Sequence, residues 1–138
     1  MAGSFTDYTE SAVLEHLLGG VAFTAAAKQY VALYTVTPSD TGGGTEVTGG
    51  DYARVEVTNN TTTWPTATGT NPTSKANGIA ITFPTATASW GTVVAFGVFD
   101  DTAVTPNLLF YGTLGTSQSV PSGVTLSFPI GNLTCTLS

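Results

Sequence analysis

Residues 79–101 read IAITFPTATASWGTVVAFGVFDD, and this stretch decides the fold class. Two segments of alternating pattern, residues 78–83 and 92–99, flank a turn at Pro84, and between them lies almost no side chain with reactive chemistry. Alternation with period two places successive side chains on opposite faces of an extended chain. The second segment carries apolar residues on both faces, which predicts a strand covered on two sides, built to pack and not to catalyse.

Working outward, the same period recurs upstream from Gln29. There Tyr30, Ala32, Tyr34 and Val36 form one face and Val31, Leu33 and Thr35 the other, the pattern of a central strand. Further strands are predicted over residues 52–58, 108–114, 124–128 and 133–137, which makes seven. The β-branched run at residues 61–64, closed by Pro65, is a candidate eighth. Glycine, proline and asparagine clusters separate them: Pro38-Ser39-Asp40, Gly42-Gly43-Gly44, Gly49-Gly50-Asp51, Asn77-Gly78, Pro106-Asn107, Pro121-Ser122-Gly123 and Gly131-Asn132. Strands not interleaved with helices cannot make parallel crossovers. The expected fold is therefore all-β, an antiparallel β-sandwich or jelly roll of seven to eight strands.

One helix precedes the strands. Asp7 can cap it and Glu10 can reach back to the cap, while Ala12, Val13, Leu14, Leu17 and Leu18 recur at three- and four-residue spacing over residues 8–18, ended by Gly19-Gly20. So short a helix is not stable alone in water, so its stripe must cover an end of the sheet core or dock on a neighbouring chain. Leu14, Leu17 and Leu18 are the candidate interface residues.

At 138 residues the chain is read as one domain over 1–138, with a helical segment over 1–20 and a polar excursion over 58–77. Charged residues are 9% of the chain, against roughly 25% in a typical soluble domain. A net charge of −6 with only three cations, Lys28, Arg54 and Lys75, argues against a surface that tracks phosphates, so no direct nucleic-acid partner is expected. A weakly charged, threonine-rich surface is suited to burial against another protein, because few ions need be desolvated. No run approaches the roughly 18 apolar residues that span a bilayer, and residues 1–20 lack a basic start, so neither a membrane anchor nor a secretory signal is expected. Cys135 is the single cysteine and lies in a strand pattern where a buried thiol is the usual outcome.

Reactive constellations are not found. His16 is the only histidine and has neither a cysteine nor a second histidine near it. No nucleophile elbow of the G-x-S-x-G type occurs. Asp100 and Asp101 point to opposite faces of a strand end and read as a turn. Asp40, Glu46 and Asp51 surround the glycine-rich segment without the spacing of a calcium loop. No catalytic residue, cofactor or metal is expected. Among the aromatic residues Trp64 stands apart, in a polar threonine-rich segment without an alternating apolar partner, and is read either as an interface or ligand-stacking ring or as a simple anchor of its loop.

Several blocks together carry a family likeness. YVALYTVTPSDTGGGTEVTGGDYAR at residues 30–54, ITFPTATASWGTVVAFGVFD at 81–100, LLFYGTL at 108–114 and VTLSFPIGNLTCTL at 124–137, in this order and after an N-terminal helix, resemble a family of small tailed-bacteriophage virion proteins of the tail-fibre or Gp80-like kind. Residues 58–77 lie outside the matched blocks. The resemblance implies a virion structural protein, assembled in the host cytoplasm, and assigns no catalytic residue. Fibres need a shaft of repeats or heptads, and the chain has none. The expectation is therefore a capsid cement or decoration protein on the outer surface of the head, in many symmetric copies, as a dimer or trimer against the major capsid protein or other virion proteins. The alternatives are a tail-fibre, tail or baseplate component and, from a different class, a glycan-binding module.

Overall fold

The structure, a computed structural model, describes residues 2–102 and 105–137. In chain order the elements are β1 (Ala2–Phe5), α1 (Asp7–Leu18), β2 (Lys28–Val36), β3 (Thr45–Glu46), β4 (Val55–Thr58), β5 (Thr73–Ala76), β6 (Ile81–Thr82), β7 (Gly91–Phe99), β8 (Leu108–Val120), β9 (Ser127–Phe128) and β10 (Thr134–Leu137). The fold is all-β with a single N-terminal helix, as the alternating patterns predict. One large sheet runs β3-β2-β7-β8-β1-β10-β5, with β4 also paired to β2, and a two-stranded ribbon of β6 and β9 forms the second layer. The pairings are antiparallel except for β1 against β10, which is parallel.

The long strands form where both faces are apolar. β2 is buried from Val31 to Tyr34, with β7 on one side and β4 and β3 on the other. β7 and β8 form the central hairpin. Its turn closes when the Asp100 carboxylate accepts hydrogen bonds from the Asn107 backbone N–H and side-chain amide, both at 2.8 Å. Asp100 thus serves the turn, as its position at the strand end predicts.

The inner face of the large sheet and the ribbon share one core. Val31, Leu33, Val93, Phe96, Val98 and Phe110 from the sheet meet Ile81, Phe83, Leu126 and Phe128 from the ribbon side. A continuous chain of rings runs through it, from Trp90 to Tyr52 (5.4 Å), Phe83 (6.3 Å), Phe128 (6.1 Å), Phe96 (6.2 Å), Phe110 (6.1 Å) and Trp64 (5.9 Å). Most contacts are edge-to-face or tilted, the arrangement the ring quadrupole favours. On the outer face a smaller cluster gathers Ala32, Tyr34, Ala95, Phe99 and Leu108. There the Arg54 guanidinium lies 3.8 Å from the centre of the Phe99 ring and makes two hydrogen bonds to the Glu46 carboxylate.

Four expectations are corrected. Residues 61–64 form a turn and no strand, because the Asn60 carboxamide accepts the backbone N–H groups of Thr62 and Thr63 at 3.0 and 2.9 Å and curls the chain. Trp64 is not a free interface or stacking ring but anchors its loop: only 6% exposed, it packs edge-on against Phe110, and its Nε1–H donates to the Gln29 side chain at 2.6 Å. The segment 58–77 is not a free excursion either. Thr63, Trp64 and Asn77 are buried, β5 pairs with β10, and the longest exposed run is residues 65–73. At the helix start Thr6, and not Asp7, is the cap residue, and its hydroxyl donates to the carbonyls of Leu108 and Leu109 instead of closing a capping box.

Burial of tyrosines gives the fold an alkaline limit. The Tyr52 hydroxyl accepts the Leu33 N–H at 2.9 Å and donates to Glu46 at 2.8 Å. Burial is the largest cause raising its pKa well above the ordinary tyrosine value and pushing Tyr34 from 10.0 up to about 12. In the unfolded chain both ionise near the ordinary value, so their neutral forms contribute stability that is fully present below about pH 10 and is lost as pH rises towards and beyond 12. The expected result is a melting temperature that is level near neutrality and falls steeply above about pH 10. A parallel titration of tyrosinate absorbance should show a late fraction that ionises only with unfolding, and a simple titration of every tyrosine near the ordinary value in the still-folded domain would contradict this.

Candidate functional site

α1 begins where β1 leaves the sheet and is tied at its first turn. The Thr9 hydroxyl donates to the Leu109 carbonyl at 2.7 Å, and the Asp7 backbone N–H to the Asp40 carbonyl at 3.0 Å. Thr9 is its only buried residue. Thus the side carrying Thr9 with the half-buried Ala12 and Val13, not the leucine stripe, faces the domain. Leu14, Leu17 and Leu18 are 58%, 70% and 84% exposed, and the apolar surface continues through Val21 and Phe23 in the following loop. Glu10 lies on the same side, four residues before Leu14 and seven before Leu17. The three leucines singled out by spacing therefore lie together on one exposed face, while Trp64, the fourth candidate, lies in the core.

His16 belongs to the end of this helix. The Phe23 backbone N–H donates to its Nδ1 at 3.2 Å, which draws the loop after α1 back against the last turn. Among the described residues no group of three or more His, Cys, Asp or Glu is placed to hold a metal ion. Two of the three acidic residues around the glycine-rich segment are otherwise engaged: Glu46 with Arg54 and Tyr52, and Asp40 with the Tyr111 hydroxyl at 2.8 Å.

Trp64 marks a second feature that spacing alone does not reveal. Beside its ring lies an open apolar cavity of about 220 Å3 with Phe5, Phe110, Cys135 and Leu137 in its walls and Gln29, Asn59 and Lys75 also lining it. Burial pushes the Cys135 thiol up from 9.0 to about 11, so it is a thiol and not a thiolate at neutral pH. Lys28 pairs with Glu56 at 2.7 Å and Arg54 with Glu46 at 2.7 Å, which leaves Lys75 as the one cation without a carboxylate partner among the described residues. A larger groove lies between β8 and β9, lined by Thr116, Gln118, Ser119, Thr125, Ser127 and Asn132 among others. It holds neither a charged group nor an exposed aromatic ring, so its chemistry is limited to hydroxyl and amide hydrogen bonding.

The fold and the exposed leucine face define an all-β domain with an apolar surface patch. The family model described as Podophage GP4 fiber I protein gp80 matches residues 4–136, nearly the whole chain. The chain belongs to that family and is a bacteriophage virion structural protein, fibre-related. No curated protein matches it. No helix among the described residues is long and apolar enough to cross a membrane.

Proposed function

We propose that the domain is a non-catalytic packing module of the fibre apparatus of the phage particle, joined to neighbouring virion proteins through the leucine face of α1. The observation that carries this reading is the exposure of Leu14, Leu17 and Leu18 on a helix that turns a different face, that of Thr9, Ala12 and Val13, to its own domain. Large apolar side chains grouped on a surface mark an interaction site. The fibre in the family description supports this place in the particle over the head. Head decoration in many symmetric copies against the major capsid protein is the second reading, favoured by the lack of any repeat or heptad that would build a shaft. A glycan-binding role loses the ring it would stack on, since Trp64 is buried.

Copy number separates the two places. Gel densitometry of purified particles is expected to give few copies per virion, and detached fibres should retain the protein; hundreds of copies, stripped together with the head, would move the domain to the capsid surface. Leu17→Asp should lower incorporation into particles while leaving the melting temperature of the isolated domain unchanged. Full incorporation of that variant would remove the leucine face from the contact.

A further inference from the structure

The helix face and the Trp64 cavity complement each other in size, polarity and charge. At about 220 Å3 the cavity is smaller than the roughly 300–1,000 Å3 of pockets that enclose drug-sized ligands. Its surface is largely apolar, with polar side chains such as Gln29, Asn59 and Lys75 also in the lining, so it suits one or two apolar side chains better than a metabolite. No residue of α1 lines it. The leucines thus leave it unfilled within their own chain. Lys75, beside it, has no carboxylate partner among the described residues, and Glu10, with Asp7, is an acid on the leucine face. Two copies of a chain that carries −6 repel each other. A contact between them is favoured where it brings the free cation against an acid.

We infer that the domain associates head-to-tail with a second copy of itself, the leucines of α1 from one copy entering the Trp64 cavity of the next and Glu10 meeting Lys75. Because the two surfaces are different patches, the contact is heterologous. It closes into a ring if the rotation between copies allows and extends into a filament if it does not. The contact depends only on these two patches and holds whether the domain sits in a fibre or on a head.

The test uses the full chain in sedimentation velocity and light-scattering chromatography over a wide concentration range. Wild type is expected to self-associate, and Leu17→Asp, at an exposed position, to weaken association by about tenfold or more. Thr73→Trp blocks the cavity from an exposed strand position and is expected to do the same; Lys75→Glu does so by charge, should the first variant fail to fold. Mixing a helix variant with a cavity variant is the decisive arm. Each then offers the one surface the other lacks, so the mixture is expected to form a dimer and nothing larger, although each alone is monomeric. The double exchange Glu10→Lys with Lys75→Glu should recover association, and in the wild-type assembly Cys135 should react with a maleimide more slowly than in monomeric Leu17→Asp. A wild type that stays monomeric at every concentration would overturn the inference. So would cavity variants that associate as well as wild type, which would point to helix against helix, or a mixture that remains monomeric.

Discussion

Replacing Trp90 by alanine is expected to cost about 3–5 kcal/mol of stability. The ring is 4% exposed, meets Tyr52 edge-on at 5.4 Å, and donates its Nε1–H to the Gly50 carbonyl at 3.0 Å. Alanine leaves a void at one end of the ring chain and removes one of the two hydrogen bonds to the Gly50 carbonyl, which keeps the Thr87 N–H at 3.1 Å, so the lost packing is the main cost. In a domain of this size the melting temperature should fall by about 10 °C or more. Trp64→Ala is expected to lose stability too, towards the lower end of the same range. Its ring is also buried and hydrogen-bonded, but it already borders a cavity, so fewer packing contacts are forfeited. Chemical denaturation followed by circular dichroism checks both. A loss within about 0.5 kcal/mol for Trp64→Ala would be the behaviour of a surface residue and would contradict its place in the core.

The contrast between these two tryptophans explains how far the sequence could be read. Trp90 begins a segment of alternating apolar residues, so its own neighbours reveal its burial. Trp64 sits among threonines, and its partners, Gln29 and Phe110, are distant in the chain. No local pattern announces them. The same distinction separates the strands. β2 and β7 were legible because their apolar residues repeat over nine positions each. β1 and β5, with sequences AGSF and TSKA, have no alternating apolar face and are strands because β8 and β10 offer them unpaired backbone. Spacing identified the leucine stripe of α1 but not its direction, which follows from the bonds of Thr6 and Thr9 to the Leu108–Leu109 backbone. The cavity was out of reach for a related reason: its walls come from several separate elements, and only the completed sheet brings them together.

Asn77 is the residue where a polar side chain matters most to the fold, and Asn77→Ala is expected to cost about 3 kcal/mol or more. Only 1% exposed, it ties three stretches of chain together: its amide nitrogen donates to the carbonyls of Ile79 at 2.7 Å and Pro129 at 2.9 Å, and its side-chain oxygen accepts the Leu133 N–H at 2.8 Å. Leu133 is fully buried, so water cannot take over as partner when the asparagine is removed. Asn77→Asp makes the sign of the effect testable. An ionised carboxylate would still accept from Leu133 but would set its second oxygen against two carbonyl oxygens, so the folded state should favour the protonated acid and raise its pKa above the ordinary value near 4. Ionisation then favours the unfolded chain, so the deficit relative to wild type should be largest at neutral pH and shrink as pH falls through the raised value, where the protonated oxygen can donate again. Denaturant titrations of wild type, both variants and the exposed control Asn132→Ala, at neutral pH and near pH 4, measure this directly. Asparagine is the one residue of this shape with two donors on one side and an acceptor on the other. If Asn77→Ala melts like the control, or Asn77→Asp shows the same deficit at both pH values, the clamp does not hold the β5–β6 connection to the segment before β10.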